Sequence, residues 1–175
     1  MSHSPWGSIQ HTKQIQQGVR WVSTASHGGL LVKLDVAGRL LSERAREVSH
    51  PGATIYGFAF EEDCSYAVAF IEHPEWKRFL DQDSLASWKR DYPLTETRVD
   101  GGFHGRMAQY AEEAIPKLEL AIAMTDEEIR KEMRAVVLAW NPDYFGLPFK
   151  CWDCKQDMPL EHGSGVCENC RKVRV

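Results

Sequence analysis

Two places in the chain gather side chains that can bind a metal or move a proton. Four of the five cysteines stand near its end, as Cys151-x-x-Cys154 and Cys167-x-x-Cys170, with twelve residues between the pairs. A C-x-x-C turn brings two thiolates to one side of an ion, and a second such turn completes the tetrahedral sulfur shell that zinc favours. The spacing matches the paired template of zinc sites. Pro159 ends the first turn, and Gly163-Ser164-Gly165 lets the chain double back. One Zn2+ is therefore expected on Cys151, Cys154, Cys167 and Cys170. Four thiolates leave no position for water, so its role is architectural. Iron in a rubredoxin-like site accepts the same ligands. Two disulfides would need an oxidising compartment, to which nothing in the sequence points.

The second place is split between "VSTASHGGLLV" and "FAFEEDCSYAVAF". The first sets Ser23, Thr24, Ser26 and His27 at the end of an expected strand, before two glycines that allow close approach of backbone to a ligand. The second offers Glu61, Glu62, Asp63 and Cys64, the only cysteine outside the tail. Cys64 is read at a helix start, where a thiol's pKa falls and the reactive thiolate is favoured. His27 and Cys64 then suit a base and nucleophile pair, with an acid orienting the imidazole. Alternatively, His27, Glu61 and Asp63 suit a divalent cation. A third reading assigns no chemistry: turn residues, an acid cluster at a helix start, and a cysteine buried as a small apolar side chain.

The elements that must position these groups read as α+β, with a small sheet and helices in the front half and a helical back half. Val19 to Thr24 alternates β-branched and aromatic residues with polar ones, as a strand does, and Leu30 to Leu34 extends or pairs with it beyond the break at Gly28-Gly29. Asp35 to Glu47 has helical spacing, with Gly38 weakening it. Ile55 to Phe60 is a short strand, and Cys64 to Ile71 the helix after it. Glu75 to Leu80 and Ser84 to Tyr92 are short helices. Arg106 to Ala114 is another, with Pro116 kinking it or opening the next. Thr125-Asp126-Glu127-Glu128 is a capping box that starts a helix with the stripe Ile129, Met133, Val136, Val137 and Trp140, stopped at Asn141-Pro142. The expected division is 1–100 as an α+β domain, 101–149 as a helical extension, and 150–175 as a zinc-ribbon-like knuckle.

Composition narrows the function classes. The chain has 175 residues, 43% hydrophobic and 26% charged, which is ordinary for a folded protein. A net charge of -4 argues against a general polyanion binder. The basic residues of the tail are balanced by Asp153, Asp157, Glu161 and Glu168 together with the net negative charge of a zinc ion on four thiolates, although Arg171, Lys172 and Arg174 cluster at the end. Those three are the candidate nucleic-acid contacts. No apolar run approaches the ~20 residues of a membrane span, and the opening lacks the pattern of a secretory signal, so a cytoplasmic protein is expected.

Four separated motifs resemble an uncharacterised domain family of bacteriophage, prophage and plasmid proteins. They are the W-G-x-x-Q-H opening from Trp6 through His11, the V-S-T-A-S-H-G-G segment from Val22 through Gly29, the E-E-D-C segment from Glu61 through Cys64, and Asp91-Tyr92-Pro93. In the last, Asp91 stands where the pattern has an aromatic residue. The resemblance covers about the first ninety-five residues and leaves out the back helices and the tail. It brings no activity with it and implies a setting: a cytoplasmic protein of a mobile element, acting on the host or its defences. The expectation that follows is a non-enzymatic interaction protein with a host or phage protein as partner and zinc as a staple. The alternatives are a hydrolase or transferase using His27 with Glu61 to Cys64, and a nucleic-acid-binding accessory protein.

Overall fold

A computed structural model describes residues 3–50, 57–92, 103–145, 149–150 and 157–158, the last two pairs as backbone only. It is α+β, and the chain divides into two compact units: Met1–Glu72 with Arg130–Val175, and His73–Ile129.

The first unit is organised by four antiparallel strands in the order β3-β4-β5-β6, where β3 is His11–Gln16, β4 Val19–Ser23, β5 Gly28–Val32 and β6 Phe58–Glu61. A separate hairpin, β1 (His3–Ser4) with β2 (Gly7–Ser8), precedes them. The polar sequence "HTKQIQ" suits β3 to an edge, where among the described residues it pairs with β4 alone, and a bulge between Gln14 and Gln16 interrupts its register. Gly18 turns the chain into β4 at φ +81, and a Cβ there would meet Val36 at 2.5 Å.

Strands β4 and β5 bury Val19, Val22, Leu30 and Val32, while β6 buries Ala59 and Phe60. Trp21 stacks on Phe70 with centroids 6.2 Å apart, and Tyr66 meets Phe70 edge-on at 5.3 Å. These contacts seat α3 (Tyr66–Glu72) against the sheet.

Between β5 and β6 lie α1 (Leu34–Leu40) and α2 (Glu43–Glu47). The sequence predicts one helix here, from Asp35 to Glu47. Ser42 divides it, because its hydroxyl caps α2 by accepting from the Ala45 N–H at 3.1 Å. The Glu72 carboxylate in turn accepts the Ser42 N–H at 2.8 Å and binds its hydroxyl. Gly28 and Gly29, expected as a break, lie inside β5 and pair with Ser23 and Val22.

The second unit is helical: α4 (Pro74–Asp91), α5 (Phe103–Ala123) and the first turn of α6 (Asp126–Trp140). The two short helices expected between Glu75 and Tyr92 are one, opened by Pro74 at its first turn, where a missing N–H costs nothing. Pro116 lies inside α5. Arg78 ties α4 to the α5–α6 junction, donating to the Met124 carbonyl at 3.1 Å and to Asp126 at 2.6 Å. The capping box is present: Thr125 N–H donates to Glu128 at 2.7 Å, and Glu128 N–H to the Thr125 hydroxyl at 3.3 Å. Ile129, Met133 and Val137 of the stripe are buried, whereas Trp140 is exposed at the helix end. Among the described residues no helix is long and apolar enough to cross a membrane.

Candidate functional site

The site stands at the end of the sheet where β4 passes into β5 and β6 stops. After Ser23 the Thr24 hydroxyl closes a tight turn: it donates to the His27 carbonyl at 2.7 Å and accepts the His27 N–H at 3.2 Å. The backbone reinforces it, Thr24 N–H donating to the same carbonyl at 2.7 Å. The hydroxyl residues of "STASH" thus do turn work, and they lift His27 onto an exposed lip.

Opposite, β6 ends at Glu61, the register partner of Gly29. The acids do not begin a helix. Residues 62–65 form a turn, and α3 starts only at Tyr66. The turn is fixed by Ser65, whose buried hydroxyl accepts the Glu61 N–H at 2.8 Å, and by Cys64 N–H donating to the Glu61 carbonyl at 3.4 Å.

Glu61 is the hub. Its Oε1 lies 3.5 Å from His27 Nδ1. Its Oε2 accepts the Asp63 N–H at 2.8 Å and the Cys64 thiol at 3.3 Å. The imidazole is half exposed (55%) and the carboxylate less so (21%), so the pair faces water across a partly walled edge. One ligand atom from each of His27, Glu61 and Asp63 lies within 4.8 Å of the other two. The structure therefore brings together both sequence segments, thirty-four residues apart, around one carboxylate.

Glu62 takes a different place. Its Oε2 occupies the space that a side chain on residue 28 would fill, 2.5 Å from the position of an added Cβ. Its backbone N–H donates to the Gly28 carbonyl at 3.1 Å. Burial, then Asp63 and Glu61, hold the Glu62 carboxyl above the usual carboxylate range, against the opposing pull of Gly28 N–H and His27.

The thiol of Cys64 is shifted upward, first by burial and then by its bond to Glu61. The sequence expectation of a thiolate favoured by a helix start is corrected here: Cys64 precedes the helix, and the nearest charge is negative. In this arrangement the thiol is a donor that holds Glu61.

Two residues stand at the site to which the sequence assigns no role there. Ser65 is the turn's cap. Trp6 lies across Gly29, its ring 2.7 Å from an added Cβ, and its indole Nε1 is buried without a partner among the described residues. Cys151, Cys154, Cys167 and Cys170, like Arg171, Lys172 and Arg174, lie outside the described residues.

A family model described as a domain of unknown function (DUF7007) matches residues 1–99, and so takes in His27, Glu61, Asp63 and Cys64. No curated protein and no solved structure gives a match.

Proposed function

The chain belongs to the DUF7007 domain family, and from its geometry we propose that His27, Glu61 and Asp63 hold one divalent metal ion that activates water for hydrolysis. One observation carries this reading. At 3.5 Å, His27 Nδ1 and Glu61 Oε1 are too far apart for a strong hydrogen bond. Two ligands about 2.05 Å from a tetrahedral ion stand about 3.4 Å apart, which is nearly this separation. Asp63 is exposed and within 4.8 Å, so a side-chain rotation brings it to the same ion.

One imidazole nitrogen and two carboxylates suit zinc, manganese, iron or cobalt. Three protein ligands leave a position for water, whose pKa a bound cation brings towards neutrality. Asp63 N–H and the Cys64 thiol, both on Glu61 Oε2, supply the outer support that orients a ligand carboxylate. Cys64 therefore serves as support and not as nucleophile.

The test begins from protein stripped of weakly held metal by a mild chelator that leaves zinc on thiolate sites, and follows Mn2+ binding by its paramagnetic resonance. Wild type is expected to bind one Mn2+. His27→Ala and Asp63→Asn should each lose at least about tenfold in affinity. Unchanged binding in the double variant refutes the centre.

The tail supports a second, separate reading. The spacing Cys151-x-x-Cys154 and Cys167-x-x-Cys170 is that of a structural zinc. Elemental assay should find one zinc per chain fewer in Cys151→Ser than in wild type. With such a staple, exposed Tyr110 and Leu120 offer contacts for a host or phage protein, the partner class that a mobile-element setting implies. Arg171, Lys172 and Arg174 make nucleic acid the alternative partner.

A further inference from the structure

If His27, Glu61 and Asp63 hold a divalent ion, as proposed above, we infer that the substrate is a carbonyl compound bearing a positive charge, an amide with a nearby ammonium or guanidinium, and that Glu62 recognises that charge. The first argument is the charge of the centre. No lysine or arginine occurs between Arg46 and Lys77, nor between Trp21 and Val32, and these stretches supply every side chain assigned to it. A dipositive ion is balanced by Glu61 and Asp63, and Glu62 then leaves the edge net negative. Centres that transfer phosphoryl groups surround them with arginine, lysine or further cations, because the group carries its own negative charge. This edge would repel a phosphate ester. A neutral amide carbonyl meets no such penalty, and a cationic neighbour is attracted.

The second argument is the seat of Glu62. Its carboxylate is not among the three clustered ligands. It rests against β5 instead, in the space left by the bare Cα of Gly28, and the Glu62 N–H donates to the Gly28 carbonyl at 3.1 Å, which fixes the backbone that carries it. A carboxylate already ordered beside a reaction centre loses little freedom when a cation docks on it. Glu62 is next in sequence to two ligands, so a charge bound there lies close to the carbonyl being attacked. In the reaction, the oxygen of water adds to the carbonyl carbon and the carbon–nitrogen bond breaks. The nitrogen leaves with both protons of the water, giving a carboxylate and an ammonium.

The test uses binding to protein stripped of weakly held metal and then loaded with Mn2+, with three probes: Nα-acetyl-lysine hydroxamate, Nα-acetyl-glutamate hydroxamate and inorganic phosphate. The lysine probe is expected to bind about tenfold tighter than the glutamate probe at low salt, from one favourable against one unfavourable charge pair at a half-exposed position. Glu62→Gln, with its Mn2+ signal retained, should bring the two within about twofold. Equal affinities in wild type, or displacement of either hydroxamate by phosphate at lower concentration, overturns the inference and leaves the metal centre standing. Loss of the Mn2+ signal itself counts against the centre, so the two failures are separable.

Discussion

Replacing Gly29 by alanine probes the wall on which the centre rests. Gly29 has φ +151, a region open almost only to glycine, and it is the register partner of Glu61. An added Cβ would stand 2.1 Å from the Phe60 carbonyl oxygen and 2.7 Å from the Trp6 ring. The first contact is with the backbone of the neighbouring strand, so no rotamer relieves it. Either β5 and β6 part by about 1 Å or the backbone rotates, and both disturb the Glu61 end of β6. Strain of about 1–3 kcal/mol for the dihedral and about 1–3 kcal/mol for overpacking partly relieve one another on relaxation, so we expect a loss of about 3 kcal/mol. For a chain of this length that is about a 10 °C drop in Tm. Urea unfolding gives the energy directly, followed by Trp fluorescence. Mn2+ affinity should fall with it, because Glu61 moves. A cost below about 1 kcal/mol, with metal affinity unchanged, would refute the claim that Gly29 fixes the Glu61 end of the sheet.

Other outcomes follow from the same contacts. Because burial and Glu61 push the Cys64 thiol up, its thiolate fraction at pH 8 is small, and alkylation followed by peptide mass spectrometry should be slower than for a free cysteine; Glu61→Gln should speed it, and a faster wild type would contradict the geometry. Burial and then Glu72 raise the Tyr144 pKa, so the folded state keeps this phenol neutral. Its contribution to stability is intact below the ordinary tyrosine value of about 10 and is lost as pH rises beyond it, so ultraviolet titration should find it ionising only as the protein unfolds. Glu72→Ala strips the carboxylate from the Ser42 N–H and should cost about 1–3 kcal/mol in urea unfolding. Thr125→Ala removes one half of the capping box and should cost about 1 kcal/mol.

What could be read from the sequence was what local chemistry decides. The capping box at Thr125 needs only residues three apart, and the strand at Val19 only alternation. The helix stop at Asn141-Pro142 follows from the ring of one proline. Where tertiary partners decide, the reading departed from the structure. "HTKQIQ" has no apolar alternation because it is an edge strand, with water on much of its surface. Ser42 looks like an ordinary helix residue until Glu72 is seen to hold it, and the Gly28-Gly29 pair looks like a turn until Glu62 and Trp6 are seen to fill the missing side chains. At the centre, residue types in the two motifs suggested metal or acid–base chemistry. The sequence held no information on whether His27 and Glu61 meet, because that depends on the register of β5 with β6. Misplacing the helix start by a few residues also inverted the expected effect on the Cys64 thiol.

Strand β6 joins its neighbour only after the chain has travelled from Val32 through α1 and α2 to Phe58. His27 and Glu61 lie at the other end of the β5–β6 pairing, so the chain between them takes in both strands and the whole excursion. A cation gripped by both would work as a removable cross-link, clasping a long loop at its base and so disfavouring the open chain more than a bridge within a tight hairpin does. Hydrogen exchange in the β6 amides should then slow on metal loading, and a chelator should release this strand first.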